Sequence, residues 1–495
     1  MKRRAFCASA FSALAATSIP WQRALAAAAS ASAVPAAGSA GKQIVLNPSD
    51  LDDLRASLRG QLLVPGQEGY EAARHVWNGA FDKKPALIAR CAGAADVSQA
   101  VKFARAHDLV VAVRGGGHSL SGQSVCDGGL MIDLSLMKSV RVDPLAKIAR
   151  VEPGVLLGQL DREAQAFGLA TPAGTVSHTG AAGLTLGGGF GRLARKYGLT
   201  CDNFIGADLI TADGRFVKAS ASDNPDLLWA LRGGGGNFGV VTSFEYQLHT
   251  VDPAMFGGAL VFPFVKGRDL LRAFADFAAG ASDDLNVDAS IVPGPNGQRA
   301  FVLDVCHSGT RAAAEKELAS LRKIGKPLED GLKVTPYVSL QSGLDQNYPH
   351  GRGYYIKSGF VRAITPKLID TIVSYLDTAP MPTGIVSLVH HGGAISRVKP
   401  TATAFWHREA AHSVMMIGFW DDPTAAEGNM QWVKTGWKNI EPLTDGFYVN
   451  ELAADDPEHR VRGTYGDNYT RLAALKKQYD PTNLFHRNAN ISPAG

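Results

Sequence analysis

Cysteine is scarce in this chain, with five among 495 residues. Cys7 lies in an amino-terminal segment set apart below, and Cys91, Cys126, Cys201 and Cys306 are too widely spaced for a zinc site. They allow either a disulfide in an oxidising compartment or buried free thiols, since spacing does not fix connectivity. Excess charge is missing too. Lysine and arginine number 50 against 46 acids; Lys2, Arg3, Arg4 and Arg23 fall within residues 1–27, where no acid occurs, so the remainder balances at 46 to 46. Without a basic cluster to neutralise phosphates, nucleic acid is not an expected partner. Beyond the amino terminus no apolar run is long enough to span a bilayer, and no internal repeat is present. Neither a strand–GxGxxG–helix arrangement nor GxxxxGK[ST] occurs, which argues against a Rossmann or P-loop nucleotide site.

What is present begins with Met1-Lys2-Arg3-Arg4, an apolar run over 11–19 and the small-residue stretch Ala24-Leu25-Ala26. This is the layout of a secretory signal over residues 1–27. Arg3-Arg4 followed by Phe6 also resembles the twin-arginine signal, which exports proteins already folded around a cofactor, so an ordinary and a twin-arginine signal both stand. Residues 28–41 are rich in Ala, Ser and Gly and predict a flexible lead. The expected product is an exported protein, periplasmic or secreted. At 45% hydrophobic residues it can bury at least one large core.

Along the rest of the chain, a strand at 86–89, a helix with Val97, Ala100, Val101 and Ala104 on one face, and a strand at 109–113 read as a βαβ-like unit ending in glycines. Strands are predicted at 129–134, 139–142, 148–152 and 240–248, a helix at 156–167, and a hairpin at 205–218 turning on Asp213-Gly214. Beyond residue 250 a hairpin of 288–292 and 300–305 turns at Pro295-Asn296-Gly297. Helices at 311–324 and 366–377 and strands at 354–364, 385–390 and 414–419 follow, then a helix at 469–478 in a polar tail. Strands, hairpins and helices mixed in this way predict an antiparallel α+β domain covered by helices on one side.

Three glycine clusters dominate the first half: Gly115-Gly116-Gly117, Gly187-Gly188-Gly189-Phe190-Gly191, and 233–239. Glycine allows positive φ and lets main-chain N–H groups approach an anion, so such loops suit a pyrophosphate. A single cluster would more often be a tight turn.

With these clusters in view, the sequence resembles the FAD-linked oxidases of the vanillyl-alcohol oxidase type (PCMH-type FAD domain), in the berberine-bridge-like branch. The matching residues are Val113-Arg114-Gly115-Gly116-Gly117-His118-Ser119, Gly174-Thr175, Gly183 running on to Gly187, Gly188 and Gly191, and Arg195-Lys196-Tyr197 with Asp202-Asn203. Near the end come Tyr448-Val449-Asn450, Tyr465-Gly466, Tyr479-Asp480-Pro481, Asn488 and Asn490. The resemblance implies an α+β fold: a two-lobed FAD-binding domain formed by residues 42–250 and 441–495, with an antiparallel-sheet substrate domain inserted at 251–440. It implies FAD, bound covalently through His118, where the family joins a histidine to the flavin 8α-methyl group. Better-known members add a cysteinyl link in a Gly-x-Cys segment; here that stretch is Gly174-Thr175-Val176, so a single link is expected. Thr179 falls by the flavin face that oxygen approaches, where a bulky residue resembles the pattern of members that react poorly with O₂. Val240, opening the strand after the third cluster, is a further expected cofactor contact, and Arg195 and Tyr197 either seat the flavin or form a solvated helix end.

A flavin oxidase needs a base for the substrate proton. The family often uses a tyrosine after the Asn of Tyr-x-Asn-Tyr; here Glu451 holds that place, either a base with a raised pKa or an exposed glutamate in a polar loop. Tyr448 and Asn450 are expected in the pocket lining. Of His390-His391, adjacent strand residues point to opposite faces, so one reaches the pocket and no metal site is implied. His391 is expected as substrate contact or auxiliary base, or else as a satisfied core histidine. Three functions remain: an oxidase of a small alcohol, sugar, alkaloid or amine that uses O₂; a flavin dehydrogenase with another acceptor; and a binding protein that kept the fold without flavin.

Overall fold

Parallel strands need a crossover and antiparallel strands only a turn, and the chain uses the two in different places. The computed structural model describes residues 33–39, 41–294, 297–379 and 384–495. The export signal at 1–27 and part of the turn at 295–297 lie outside them. In the first lobe, Leu87–Arg90 and Val111–Arg114 flank Leu130–Asp133 in a parallel sheet, with Gln61–Leu63 antiparallel at its edge. The crossover is the helix Ala94–Ala106, whose Val97, Ala100, Val101 and Ala104 form the fully buried stripe that the periodicity predicts. Its strand Val111–Arg114 runs directly into Gly115, so the first glycine cluster sits at the carboxyl end of parallel strands, where open sheets place ligands.

The second lobe is an antiparallel sheet in the order Phe216–Ser220, Phe204–Ile210, Val240–Gln247, Ile148–Val151, Val140–Asp143. Its core takes in residues from the far end of the chain, Tyr465, Leu472, Leu475 and Ile491. The tail is stitched to the third glycine cluster. Lys476, fully buried, donates to Asp480 at 2.6 Å and to the carbonyls of Asn237 and Phe485. Asn237 in turn donates to the carbonyls of Gly234 and Ala489 and accepts from the Ile491 N–H.

The insert is an eight-stranded antiparallel sheet containing Ala254–Pro263, Leu285–Pro293, Arg299–His307, Gly353–Val361, Ile385–His390 and His412–Trp420. Its side chains alternate. Val287, Ala289, Ile291, Leu303, Val305, Val386, Leu388, Val414 and Met416 point into a core shared with the helices Gly267–Ala279, Pro366–Thr378 and Ala426–Ile440. The intervening residues face the FAD lobes, so helices cover one face and leave the other for a site.

Two expectations are corrected. Residues 34–37 of the lead are the strand Val34–Ala37, paired with Gln43–Leu46; Ala36 and Leu46 are buried in the first core, so the fold begins earlier than an Ala-rich composition suggests. The helix expected at 311–324 ends at Leu318 and continues only as a 3₁₀ turn, Leu321–Lys323.

Candidate active site

A cavity of about 900 Å³ lies between the two lobes and the open face of the insert sheet. Its walls include Gly115, Gly116, Gly117 and Ser119 from the first cluster, Gly174, Thr175, Thr179, Gly183 and Gly191 from the second region, and Gly235, Gly236 and Val240 from the third. Asn450 and Asn488 close it from the chain's end. Glycine is needed at Gly116 because a Cβ there would come within 2.3 Å of the Gly180 Cα, so the two loops can touch only as backbone. At Gly183 and Gly236 the reason differs: a Cβ would meet nothing within 4 Å, leaving main chain bare along the wall. The fit to a polar, elongated cofactor also shows in buried polar atoms without a protein partner among the described residues. They include Nε2 of His118, Oδ1 of Asn488, Oε2 of Glu451 and Nδ1 of His391, all on residues of the wall.

His118 is held by stacking. Its ring lies 4.0 Å from Trp77, which stacks in turn on Tyr354 of the insert at 4.1 Å, and the main-chain N–H of Trp77 donates to the Gly117 carbonyl. Burial, with His178 and His350 nearby, drives its pKa down to about 3, so the imidazole is neutral with a free lone pair. Glu451 sits in the 3₁₀ turn Val449–Glu451, and burial raises its carboxyl to about 7 against the opposing pull of Ser358. A carboxyl balanced there can take a proton at neutral pH. His391 bonds Ser413 through Nε2 at 3.1 Å and packs on Phe190 at 4.2 Å between centroids; burial holds it neutral. His390 also reaches the cavity wall, contrary to the expectation that only one of the pair would. The Tyr448 hydroxyl accepts from the Gly189 N–H at 2.9 Å and from Asn450 at 2.8 Å, so it braces the second glycine cluster.

Five expected cofactor residues are off the wall. Arg114 ends its strand with its guanidinium on the Ala73 carbonyl, behind the loop that carries His118. Gly187 and Gly188 serve packing: a Cβ would strike Asn450 at the first and Phe405 at the second. Tyr197 stacks on His249 at 4.1 Å, and Asn490 lies beside the wall. Arg195 is buried and clamps the insert to the FAD lobe, donating to the carbonyls of Leu285, His391, Ala281 and Ser282. Sequence reasoning missed Trp77 and Asp288, which carry no motif. The four cysteines are free and buried. No helix among the described residues is long and apolar enough to cross a membrane.

Residues 85–220 match the FAD binding domain family, and residues 447–492 the family described as berberine and berberine like. The chain is 32% identical over 440 residues to an FAD-linked oxidoreductase of Dictyostelium discoideum, covering 88% of this chain and 95% of that one. It is 34% identical over 463 residues to (R)-6-hydroxynicotine oxidase of Paenarthrobacter nicotinovorans, covering 89% and 98%. The crystal structure of 6-hydroxy-D-nicotine oxidase from Arthrobacter nicotinovorans superposes with a TM-score of 0.82 at 31% identity, over 88% of this chain and 99% of that one. The two matched segments supply the two sides of the cavity and the similarity runs through the insert between them. The chain therefore belongs to the FAD-linked oxidoreductases of the vanillyl-alcohol oxidase type, in the berberine-bridge-like branch.

Proposed function

We propose that the protein is an exported oxidase that holds FAD by a single covalent bond at His118, removes a proton from its substrate at Glu451, and passes the electrons to O₂. Bound FAD supplies a two-electron acceptor for a hydride from the substrate carbon. The protein supplies the rest. His118, neutral and fixed by the Trp77 stack, offers a nitrogen for the bond to the flavin 8α carbon. Val176 stands where a second, cysteinyl link would form, and burial pushes the thiols of Cys91, Cys126, Cys201 and Cys306 up and away from the nucleophilic thiolate. A covalent bond suits an exported enzyme, which cannot recover a lost cofactor, and Arg3-Arg4 with the apolar run behind them supports export.

The observation that carries this reading is Glu451: a carboxyl raised to about 7, with an unpartnered oxygen, in the same cavity as the His118 loop. Phe190 and Tyr448 line the same cavity and pack with Phe360 and Phe405 in an apolar cluster. The 6-hydroxynicotine oxidases named above act, by their names, on a small nitrogen heterocycle, which supports a small organic substrate. The test is anaerobic flavin reduction by a panel of alcohols, sugars, alkaloids and amines, followed by mixing with aerated buffer. Reduction, then rapid reoxidation with one hydrogen peroxide per flavin, is expected. Slow reoxidation with fast transfer to a quinone or dye would instead make it a dehydrogenase, and a colourless protein would end the flavoenzyme reading.

A further inference from the structure

The open face of the insert sheet carries one part-buried carboxyl, Asp288, that closes no ion pair with a lysine or arginine among the described residues. Asp288 and Asp304 are opposite each other on adjacent strands, and both line the cavity. Arg192, 2% exposed, closes on Asp304 at 2.6 Å and completes that pair. Burial first, and then the repulsion of Asp304, raise the Asp288 carboxyl to about 6 against the His390 N–H that it accepts and the weaker attraction of Arg192, so it is ionised at neutral pH. The other cations nearby are committed elsewhere. Arg352 is bidentate on Asp421 at 2.9 and 3.0 Å, Arg195 donates to main-chain carbonyls and feels Asp283 and Glu317 ahead of Asp288, and His390, His391 and His412 are neutral.

Beside Asp288 and Asn286, whose amide nitrogen is unpartnered, the centre of this face is largely apolar. Ser290 and Ser387 are bonded to each other at 2.8 Å, and Val302, Val389, Met415 and Ile417 are apolar. A ligand that fills the lobe expels water, and a carboxylate left there without a cation is costly. A sugar would supply no cation, and most of its hydroxyls would face Val302, Val389, Met415 and Ile417. A protonated amine on a hydrocarbon body satisfies both demands.

Resting on the oxidase reading above, we infer that the substrate is a small organic amine whose ammonium group is held by Asp288 against the apolar strands of the insert. Asp288 and Glu451 serve different groups of that substrate. Glu451 is set by Ser358 on the strand Gly353–Val361, three strand spacings from Leu285–Pro293 in the sheet order, or about 14 Å across the face. The charged nitrogen is thus anchored away from the position where the proton leaves.

The experiment titrates the flavin absorbance of the anaerobic holoenzyme with benzylamine, with benzyl alcohol and with cellobiose. The amine is expected to bind at least 10-fold more tightly than its alcohol, with cellobiose weakest. Asp288→Asn should erase the amine's advantage while Asp288→Glu keeps most of it, the thermal midpoint of each variant being checked first. An alcohol or sugar that binds as tightly as the amine overturns the inference, as does an amine preference that survives Asp288→Asn. Neither result touches the oxidase reading, which is decided separately by flavin content, flavin reduction and the rate of reoxidation by O₂.

Discussion

A histidine that is to bond carbon must first be uncharged, and His118 meets that condition by burial rather than by a basic partner. If it is the one attachment point, acid-denatured protein stays yellow and peptide mapping finds flavin on the His118 peptide alone. His118→Ala should release the flavin on acid treatment; a flavin-bearing cysteine peptide would refute the single link. Glu451→Gln keeps the shape of the turn Val449–Glu451 but cannot take a proton. Flavin reduction should slow by about 10²-fold or more with FAD still bound. A rate near that of the parent would move the role to His391, whose Nδ1 is also unpartnered, or to Tyr448. At this scale the sequence singled out His118 and the glycines that the fold brings to the cavity wall. It failed where direction decides: Arg114 and Tyr197 sit in the right motifs, but their side chains leave the cavity for Ala73 and His249. Trp77 was hidden because its meaning comes from two partners, His118 and Tyr354, far away in the chain.

The loop from Gly174 to Gly183 shows what elements add to residues. Its backbone rests on Gly116 at Gly180, and the Thr179 carbonyl accepts from the Leu157 N–H, so Thr179 is fixed on the cavity wall. A larger side chain there cannot move aside by shifting the loop. Thr179→Leu should therefore slow reoxidation of the reduced flavin by O₂ while leaving anaerobic reduction near the parental rate; unchanged reoxidation would mean that oxygen enters elsewhere. Strands and helices with strong periodicity were evident in the sequence, among them Ala94–Ala106, Val240–Gln247 and Pro366–Thr378. The helix Gly267–Ala279 was missed although Leu270, Leu271, Phe274 and Ala278 form a helical stripe, because it opens on glycine with no cap. Asp288 could not be assigned a face before the register of its sheet was known, since one residue of slip would turn it into the core.

Across the whole molecule, burial holds several histidines neutral: His118 and His412 at about 3, and His390 and His391 well below the ordinary value. Their folded pKa values are depressed, so the unfolded chain takes up protons first, and stability is lost as pH falls from about 6.5 toward about 3. His412 has both ring nitrogens unpartnered, beside His390 and Phe274. His412→Phe should raise the thermal midpoint by an amount that grows across that acid range; a constant difference at every pH would remove His412 from the account. The carboxyls of Glu451, Asp161 and Asp288, raised to between about 6 and about 7, act in the opposite sense and are least favourable above those values. The stitching of the tail to the third glycine cluster has a consequence in time. Until residues 465–491 have been made, Gly233 to Gly239 lack the carbonyls, amides and buried lysine that shape them. A nascent chain therefore carries an open, unfinished socket, flavin capture must wait for the ribosome to finish that stretch, and a chain stalled before it should remain colourless.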